Sequence, residues 1–397
     1  MAAETSSKSQ IGFAERLSII ALLASAYQRA LLLGTSSEAR SEATKIEADA
    51  YNTASTKEEY QQLYQRAIDE FEKIEVKPPA ATEEVVSGGL LLENDSDLDH
   101  GVQIGNYTNA VYYQEGIFST VYKAKATSGA LVALKLTTPH MMTPPHDSER
   151  EARILHELSA PTVITLLDEF YEPGKKFILT FPFMPLQFDD LLHRNVLNAV
   201  QIRSHLADLF RALSHVHSLG IIHRDVKPSN ILLRTASGPA YLADFGIAWS
   251  PNDKASEGPT KKITDVGTTC YRPPEILFGD KAYGTSLDLW AAGCVVAEAV
   301  DVKHKQLFDA GPLGSDLALI QSIFTTLGTP TPETWPSTTT LPDWGKIEFK
   351  QYPAKPWEEI LRGASSSGRD FARKLVRYEG SERLSASEAL SHPYFSP

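Results

Sequence analysis

Four short runs follow one another along this chain in a fixed order: HRDVKPSN (223–230), ADFG (243–246), GTTCYRPPE (267–275) and DLWAAG (288–293). Upstream of them, VALK (132–135) ends an apolar run in a lysine. The first run sets an aspartate, a lysine and an asparagine two and three residues apart on loop-forming sequence, and the second sets an aspartate just before a glycine hinge. One such run arises by chance. The ordered set demands a fold that brings distant loops together.

The texture of the chain says which kind of fold. Short strand-like runs fill residues 107–137 and 177–184, with one helical segment over 148–158 between them, and helical periodicity dominates from Leu186 onward. A small strand-rich lobe joined to a larger helical lobe is the simplest architecture. Ahead of it, residues 11–76 read as two or three helices. Leu17, Ile20, Ala21, Ala24, Gln28 and Leu31 form one apolar stripe, and Tyr60, Leu63, Tyr64, Ala67, Phe71 and Ile74 a second. The first stripe overlaps LSIIALLASAY (17–27), which has the look of a signal peptide with an ASA cleavage site. Glu4 and Glu15 cancel its positive lead and the periodicity runs past the cleavage point, so a packed helix is the better reading. The run is also shorter than the roughly 20 residues that span a bilayer. Pro78, Pro79, Gly88, Gly89 and the acidic ENDSDLDHG mark a linker. The expected domains are therefore a helical N-terminal extension (1–77), an acidic, Pro- and Gly-containing linker (78–106) and a two-lobed domain (107–395, divided at 184/185).

A net charge of −12 over 397 residues argues against nucleic acid as the main partner, because a phosphate backbone wants a basic face. The only cysteines, Cys270 and Cys294, give no disulfide framework and no metal-ligand cluster, which suits a reducing compartment. The nucleus, the cytoplasm or both are the expected location.

The motif set resembles the eukaryotic protein kinase family over about residues 107–395. The resemblance implies an α+β, two-lobed protein kinase fold and transfer of the γ-phosphate of ATP, with Mg2+, to protein substrates. By it, Lys135 holds the α- and β-phosphates and pairs with Glu151. Asn230 and Asp244 hold the metal, Asp225 accepts the proton of the substrate hydroxyl, and Lys227 steadies the transferring phosphate. Gln114, Gly116, Val121, Ala133, Phe181, Met184 and Leu232 line the nucleotide pocket together with Lys135 and Asp244. Lys227 and Thr268 point to serine or threonine as acceptor. Each residue has a plainer alternative: Glu151 could close a capping box with Ser148, Lys135 could be a snorkelling surface lysine, and His223 could be structural. In the glycine loop, QEGIFSTVYKAK (114–125), Gln114 and Ser119 stand where the family has its first and third glycines, and Gly116 keeps the second. Such a loop should be stiffer, and still work.

The C-terminal third is similar to cyclin-dependent kinases, through YRPPEILFG, LPDW and LFDAGPLGSDLALIQSIFTTLGTPTPETWP. The resemblance implies that Arg272 bonds the backbone of the substrate-facing loop and favours proline after the acceptor, and that Glu275 and Arg383 form a buried ion pair. The departures narrow the likeness. HDSEREARIL lacks the cyclin-recognition sequence, Trp249 replaces an arginine that grips a phosphorylated activation loop, and Ile117 and Phe118 occupy the place of an inhibitory Thr-Tyr pair. These resemble the fungal cyclin-independent CDK-activating kinases, and imply other cyclin-dependent kinases as substrates with no call for a cyclin. Thr264 is the candidate activation-loop phosphosite, with Arg150 and Arg224 as receivers and Glu257 and Asp265 as nearby repulsion. Two readings from other classes compete: a pseudokinase scaffold, and a trafficking adaptor acting through the N-terminal helices.

Overall fold

The computed structural model describes residues 36–72, seven residues between 16 and 27, and residues 101–396 apart from 312 and 313. The chain divides into two compact units, residues 1–100 and 101–397. Most of the expected linker, residues 78–100, and Leu17, Ala21, Ala24, Gln28, Leu31 and Ile74 of the two stripes lie outside the described residues.

In the first unit, helix α1 (Ser36–Thr53) is followed by α2 (Lys57–Glu72). The α2 N-terminus is fixed by Thr56, whose hydroxyl accepts the Glu59 N–H at 3.1 Å, and Glu58 and Glu59 complement the dipole there. Tyr60 is fully buried among Ile19, Leu23, Ala43, Ala50 and Ala54, with Leu63, Tyr64, Ala67 and Phe71 packed around them. A polar knot sits in this core. Arg16 Nε and Nη2 donate to the two oxygens of Glu47 at 2.6 and 2.8 Å, and the Tyr60 hydroxyl donates to Glu47 at 2.8 Å.

The second unit opens with an antiparallel six-stranded sheet. In chain order its strands are β1 (Val102–Ile104), β2 (Tyr107–Glu115), β3 (Ser119–Lys125), β4 (Leu131–Thr137), β5 (Asp168–Glu172) and β6 (Lys176–Pro182), arranged β1-β2-β3-β4-β6-β5. β1 lies inside the segment read as linker and pairs with β2, so residues 102–104 belong to the sheet. Three residues, two of them exposed, carry too little pattern to be seen in sequence. Helix α3 (Ser148–Glu157) crosses the sheet, its Ala152 buried against Phe177 and Leu179. The opposite face is closed by Ala110, Ala124, Val132, Leu134 and Ile178. The alternation of a pleated strand puts Ala133 and Lys135 of β4 on the α3 side. Val121 faces Lys135 and Phe181 faces Ala133 across the ladders, so all four share that face.

The larger lobe begins at a three-stranded sheet, β7 (Leu186–Gln187), β8 (Ile231–Leu233) and β9 (Ala240–Leu242), and continues through α4 (Phe188–His193) and α5 (Ala199–Ser218). Then come α6 (Pro274–Leu277), α7 (Ser286–Val300), α8 (Asp316–Leu327), α9 (Trp357–Ile360), α10 (Ser366–Leu375) and α11 (Ala386–Leu390). Every residue of α7 from Leu287 to Ala299 is buried, as an apolar helix must be when it forms the axis of a lobe. Phe210, Trp290 and Phe371, all fully buried, anchor the core around it. The architecture is α+β and two-lobed, with helices at the N-terminus.

Candidate active site

The strand, helix and loop that meet below the sheet bring Lys135, Glu151 and Asp244 together. Lys135 Nζ lies 2.8 Å from both oxygens of Glu151 and 2.8 Å from Asp244 Oδ1. Burial alone would lower the Lys135 pKa, but the Asp244 and Glu151 carboxylates raise it on balance and keep the amine cationic. Lys135 in turn holds the Asp244 carboxyl well below the usual carboxylate range. Glu151 does not close a capping box with Ser148. The N-cap of α3 is Asp147, which accepts the Arg150 N–H at 2.8 Å, while the Thr137 hydroxyl donates to the Ser148 hydroxyl, which is buried. The Asp147 N–H donates to the Gly246 carbonyl at 3.0 Å, which ties the start of α3 to the ADFG loop.

The catalytic-loop candidates are set by Asp288, at the start of α7 and fully buried. It accepts the backbone N–H groups of His223 at 2.8 Å and Arg224 at 2.9 Å, and pairs with His217 Nε2 at 2.8 Å. Burial would raise its pKa, but His217 and these N–H groups lower it overall. The hold matters because Arg224 sits at φ +71°, a backbone region that a branched or bulky residue occupies only when its surroundings enforce it. His223 accepts the Asp225 N–H on Nδ1 at 3.2 Å and meets the Ala243 carbonyl through Nε2 at 3.0 Å, so it joins the two loops.

Asp225 is held on both carboxylate oxygens. Oδ1 accepts the Thr268 N–H at 2.9 Å and the Thr268 hydroxyl at 2.8 Å; Oδ2 meets Lys227 Nζ at 2.8 Å and Asn230 Nδ2 at 3.0 Å. Lys227 Nζ also donates to the Thr268 hydroxyl at 2.9 Å. Asn230 Nδ2 further donates to the Asp225 carbonyl at 2.8 Å, which commits its nitrogen and leaves Oδ1 as its donor atom toward a cation. Arg272 Nε donates to the Gly267 carbonyl at 2.9 Å, on the loop that carries Thr268. Phe181, Met184 and Leu232 are partly buried against the large-lobe core at the junction of the lobes.

The glycine-loop candidates form a tight turn, closed by the Gly116 N–H donating to the Ser119 carbonyl at 2.6 Å. A Cβ at Gly116 would come 2.7 Å from the Ser119 hydroxyl and 3.3 Å from its carbonyl oxygen, so only glycine fits beside Ser119 without a shift. Gln114, exposed, pairs with Val121 across the β2–β3 ladder. The combined change Gln114→Gly and Ser119→Gly should loosen the turn. A glycine gains about 0.5–1 kcal/mol of chain entropy, so we expect KM for ATP to move about 2–5-fold. Single-turnover kinetics should show an unchanged chemical step.

The structure separates the regulatory candidates. Arg224 Nη1 and Nη2 bind Glu257 at 3.1 and 3.0 Å, and Arg150 reaches the carbonyls of Ala255 and Pro145. Among the described contacts, Thr264 makes none with either arginine. Glu257, expected as repulsion, is the partner of Arg224 instead. Glu275 and Arg383 are joined by two bonds, 2.6 and 2.8 Å, with the Arg383 side chain fully enclosed. Sequence reasoning gave no role to Asp147, Asp253, Asp288 or Glu298, which accepts the buried Tyr271 hydroxyl at 2.7 Å. Only Asp288 carried a signal, as the first residue of DLWAAG.

Residues 114–395 match the family model described as protein kinase domain. The chain belongs to the protein kinase family. It is 34% identical over 286 residues to cyclin-dependent kinase 20 of Danio rerio, covering 71% of this chain and 80% of that one, and human cyclin-dependent kinase 20 matches to the same extent over 288 residues. It is 35% identical over 289 residues to the serine/threonine-protein kinase csk1 of Schizosaccharomyces pombe, covering 70% of this chain and 91% of that one. The protein is a cyclin-dependent-kinase-like serine/threonine kinase that uses ATP and a divalent metal and acts on protein substrates. The cleft fits those groups. Asp244 and Asn230 offer the oxygen donors a hard cation takes, and Gly246 leaves open the space beside the lysine. A Cβ there would sit 3.3 Å from both Asp244 Oδ1 and Glu151 Oε2. Among the described residues, no helix is long and apolar enough to cross a membrane.

Proposed function

We propose that this kinase phosphorylates serine or threonine in the activation segments of other cyclin-dependent kinases, with Mg2+ as its metal and without a cyclin. The observation that carries this reading is the closed Lys135–Glu151 pair, 2.8 Å, which seats the small-lobe helix. A kinase that depends on a cyclin to seat its small-lobe helix needs help to form that pair; here the helix also lacks a cyclin-recognition sequence. Bound in the cleft, Mg·ATP supplies an activated γ-phosphoryl group. Lys135 then holds the α- and β-phosphates, and Asp244 and Asn230 hold the metal. Asp225, its carboxylate aimed by Thr268 and Asn230, accepts the proton of the acceptor hydroxyl. Lys227, 2.8 Å from that carboxylate, balances charge on the transferring group.

The substrate class is tested by incubating the purified chain and Mg·ATP with a cyclin-dependent kinase and with the same kinase carrying alanine at its activation-segment acceptor. Phosphate on the first and none on the second supports the reading; equal labelling of both contradicts it. Thr264→Ala is expected to lower activity less than about threefold, since the residue is a half-buried loop position whose described hydrogen bond, from the Val266 N–H, is to its backbone carbonyl and survives the change. Steady-state rates of the two proteins check this. A loss of a hundredfold would return Thr264 to the centre of regulation.

A further inference from the structure

The stretch between the ADFG loop and Thr268 holds three residues, Asp253, Ala255 and Glu257, that grip both halves of the active site. Glu257 binds Arg224, whose side chain is completely enclosed and which directly precedes Asp225. Arg153 Nε and Nη2 pair with Asp253 at 2.6 and 3.2 Å, and the Asp253 side chain is only 4% exposed. Arg150 Nη1 donates to the Ala255 carbonyl at 3.3 Å. Arg150 and Arg153 lie on α3, on either side of Glu151. The backbone of the stretch is fixed as well: Trp249 Nε1 donates to the Glu257 carbonyl at 2.8 Å, and Lys262 Nζ lies 4.5 Å over the Trp249 ring. Trp249, which removes one arginine from the phosphate-gripping set, thus holds the residue that supplies an anion.

A buried guanidinium without a counter-charge is unstable: Arg224 is bonded to the Glu257 carboxylate, and Arg150 bonds the Ala255 carbonyl of the same stretch. Burial would raise the Glu257 pKa, but Arg224 and Arg150 lower it overall, so the group is anionic at neutral pH. The Nε atoms of both arginines are buried and have no hydrogen-bond partner.

We propose that Glu257 is a built-in anion that positions the catalytic loop, and α3 through the stretch that carries it, doing for Arg224 what a phosphate on the segment would otherwise do. The inference rests on the reading of this cleft as a kinase active site and names how that site is held active. Glu257 touches no reacting atom; it acts through Arg224 on Asp225, and through the Asp253–Glu257 stretch on Glu151.

The test uses the full chain, freed of phosphate by phosphatase and checked by mass spectrometry. Glu257→Ala should lower kcat about 10- to 100-fold, the worth of a charge-assisted hydrogen bond, with a smaller change in KM. Sodium sulfate should restore several-fold of the lost rate where sodium chloride at equal ionic strength does not, because sulfate can sit on the vacated Arg224 guanidinium. Hydrogen exchange over residues 250–262 should rise in the variant and fall again with sulfate. Glu257→Gln, which keeps the packing and removes the charge, should show the same kcat loss even if Glu257→Ala folds poorly. Undiminished kcat in Glu257→Gln overturns the inference, as does a loss in Glu257→Ala that sulfate leaves untouched while the protein is folded. A wild-type chain that transfers no phosphate to any acceptor would instead refute the reading of the site itself.

Discussion

Asp225→Asn is expected to lower kcat about 10²–10⁴-fold, the range of a general base, and to leave ATP affinity nearly unchanged. The carboxylate is hydrogen-bonded on both oxygens, by Thr268 on one and by Lys227 and Asn230 on the other. An amide there places an N–H2 group against one set of donors and removes the charge that Lys227 balances. Lys135 and Asp244, proposed to hold the nucleotide and metal, are paired with each other and, among the described contacts, not with Asp225. Rates of phosphate transfer and calorimetric titration with Mg·ATP separate the two effects. A variant that kept most of its kcat would remove Asp225 from the role of base. Lys135→Met should fail in the other way, through lost productive placement of ATP.

Arg383→Ala is expected to destabilise the kinase unit by about 3–5 kcal/mol, the cost of leaving a buried charge without its partner. Arg383 spends its donors on Glu275 and on the carbonyls of Arg377, Ser286 and Tyr378. Removing it strands the Glu275 carboxylate and three backbone oxygens, in a place where α6, the start of α7 and the C-terminal segment meet. Denaturant unfolding followed by tryptophan fluorescence gives the difference. A loss below about 1 kcal/mol, the scale of an exposed ion pair, would show that water reaches the site.

What the sequence reveals depends on how local the determining contacts are. Lys135, Asp225, Asn230 and Asp244 stand out because each lies in a short run whose neighbours also serve the site, and Glu275–Arg383, 108 residues apart, was legible only through the family likeness. The two lobes were readable because period-two runs give way to helical periodicity near Leu186. Asp253 and Glu257 had no such signal. They lie in a loop without periodicity, and their partners, Arg153 and Arg224, are 100 and 33 residues away. Charge counting alone set Glu257 against a phosphate at Thr264, when its carboxylate sits on the very arginine that phosphate was meant to find. β1 was lost for a different reason: three residues in acidic, glycine-bounded sequence do not outweigh the composition around them.

This chain, alone and unmodified, is expected to transfer phosphate through Asp225. This is tested most directly with purified protein shown by mass spectrometry to carry no phosphate, incubated with radiolabelled ATP, Mg2+ and a cyclin-dependent kinase as acceptor, beside the Asp225→Asn protein. Label is expected on serine or threonine of the acceptor with the first protein and not with the second. Label that is absent from both, or equal in both, would contradict that expectation.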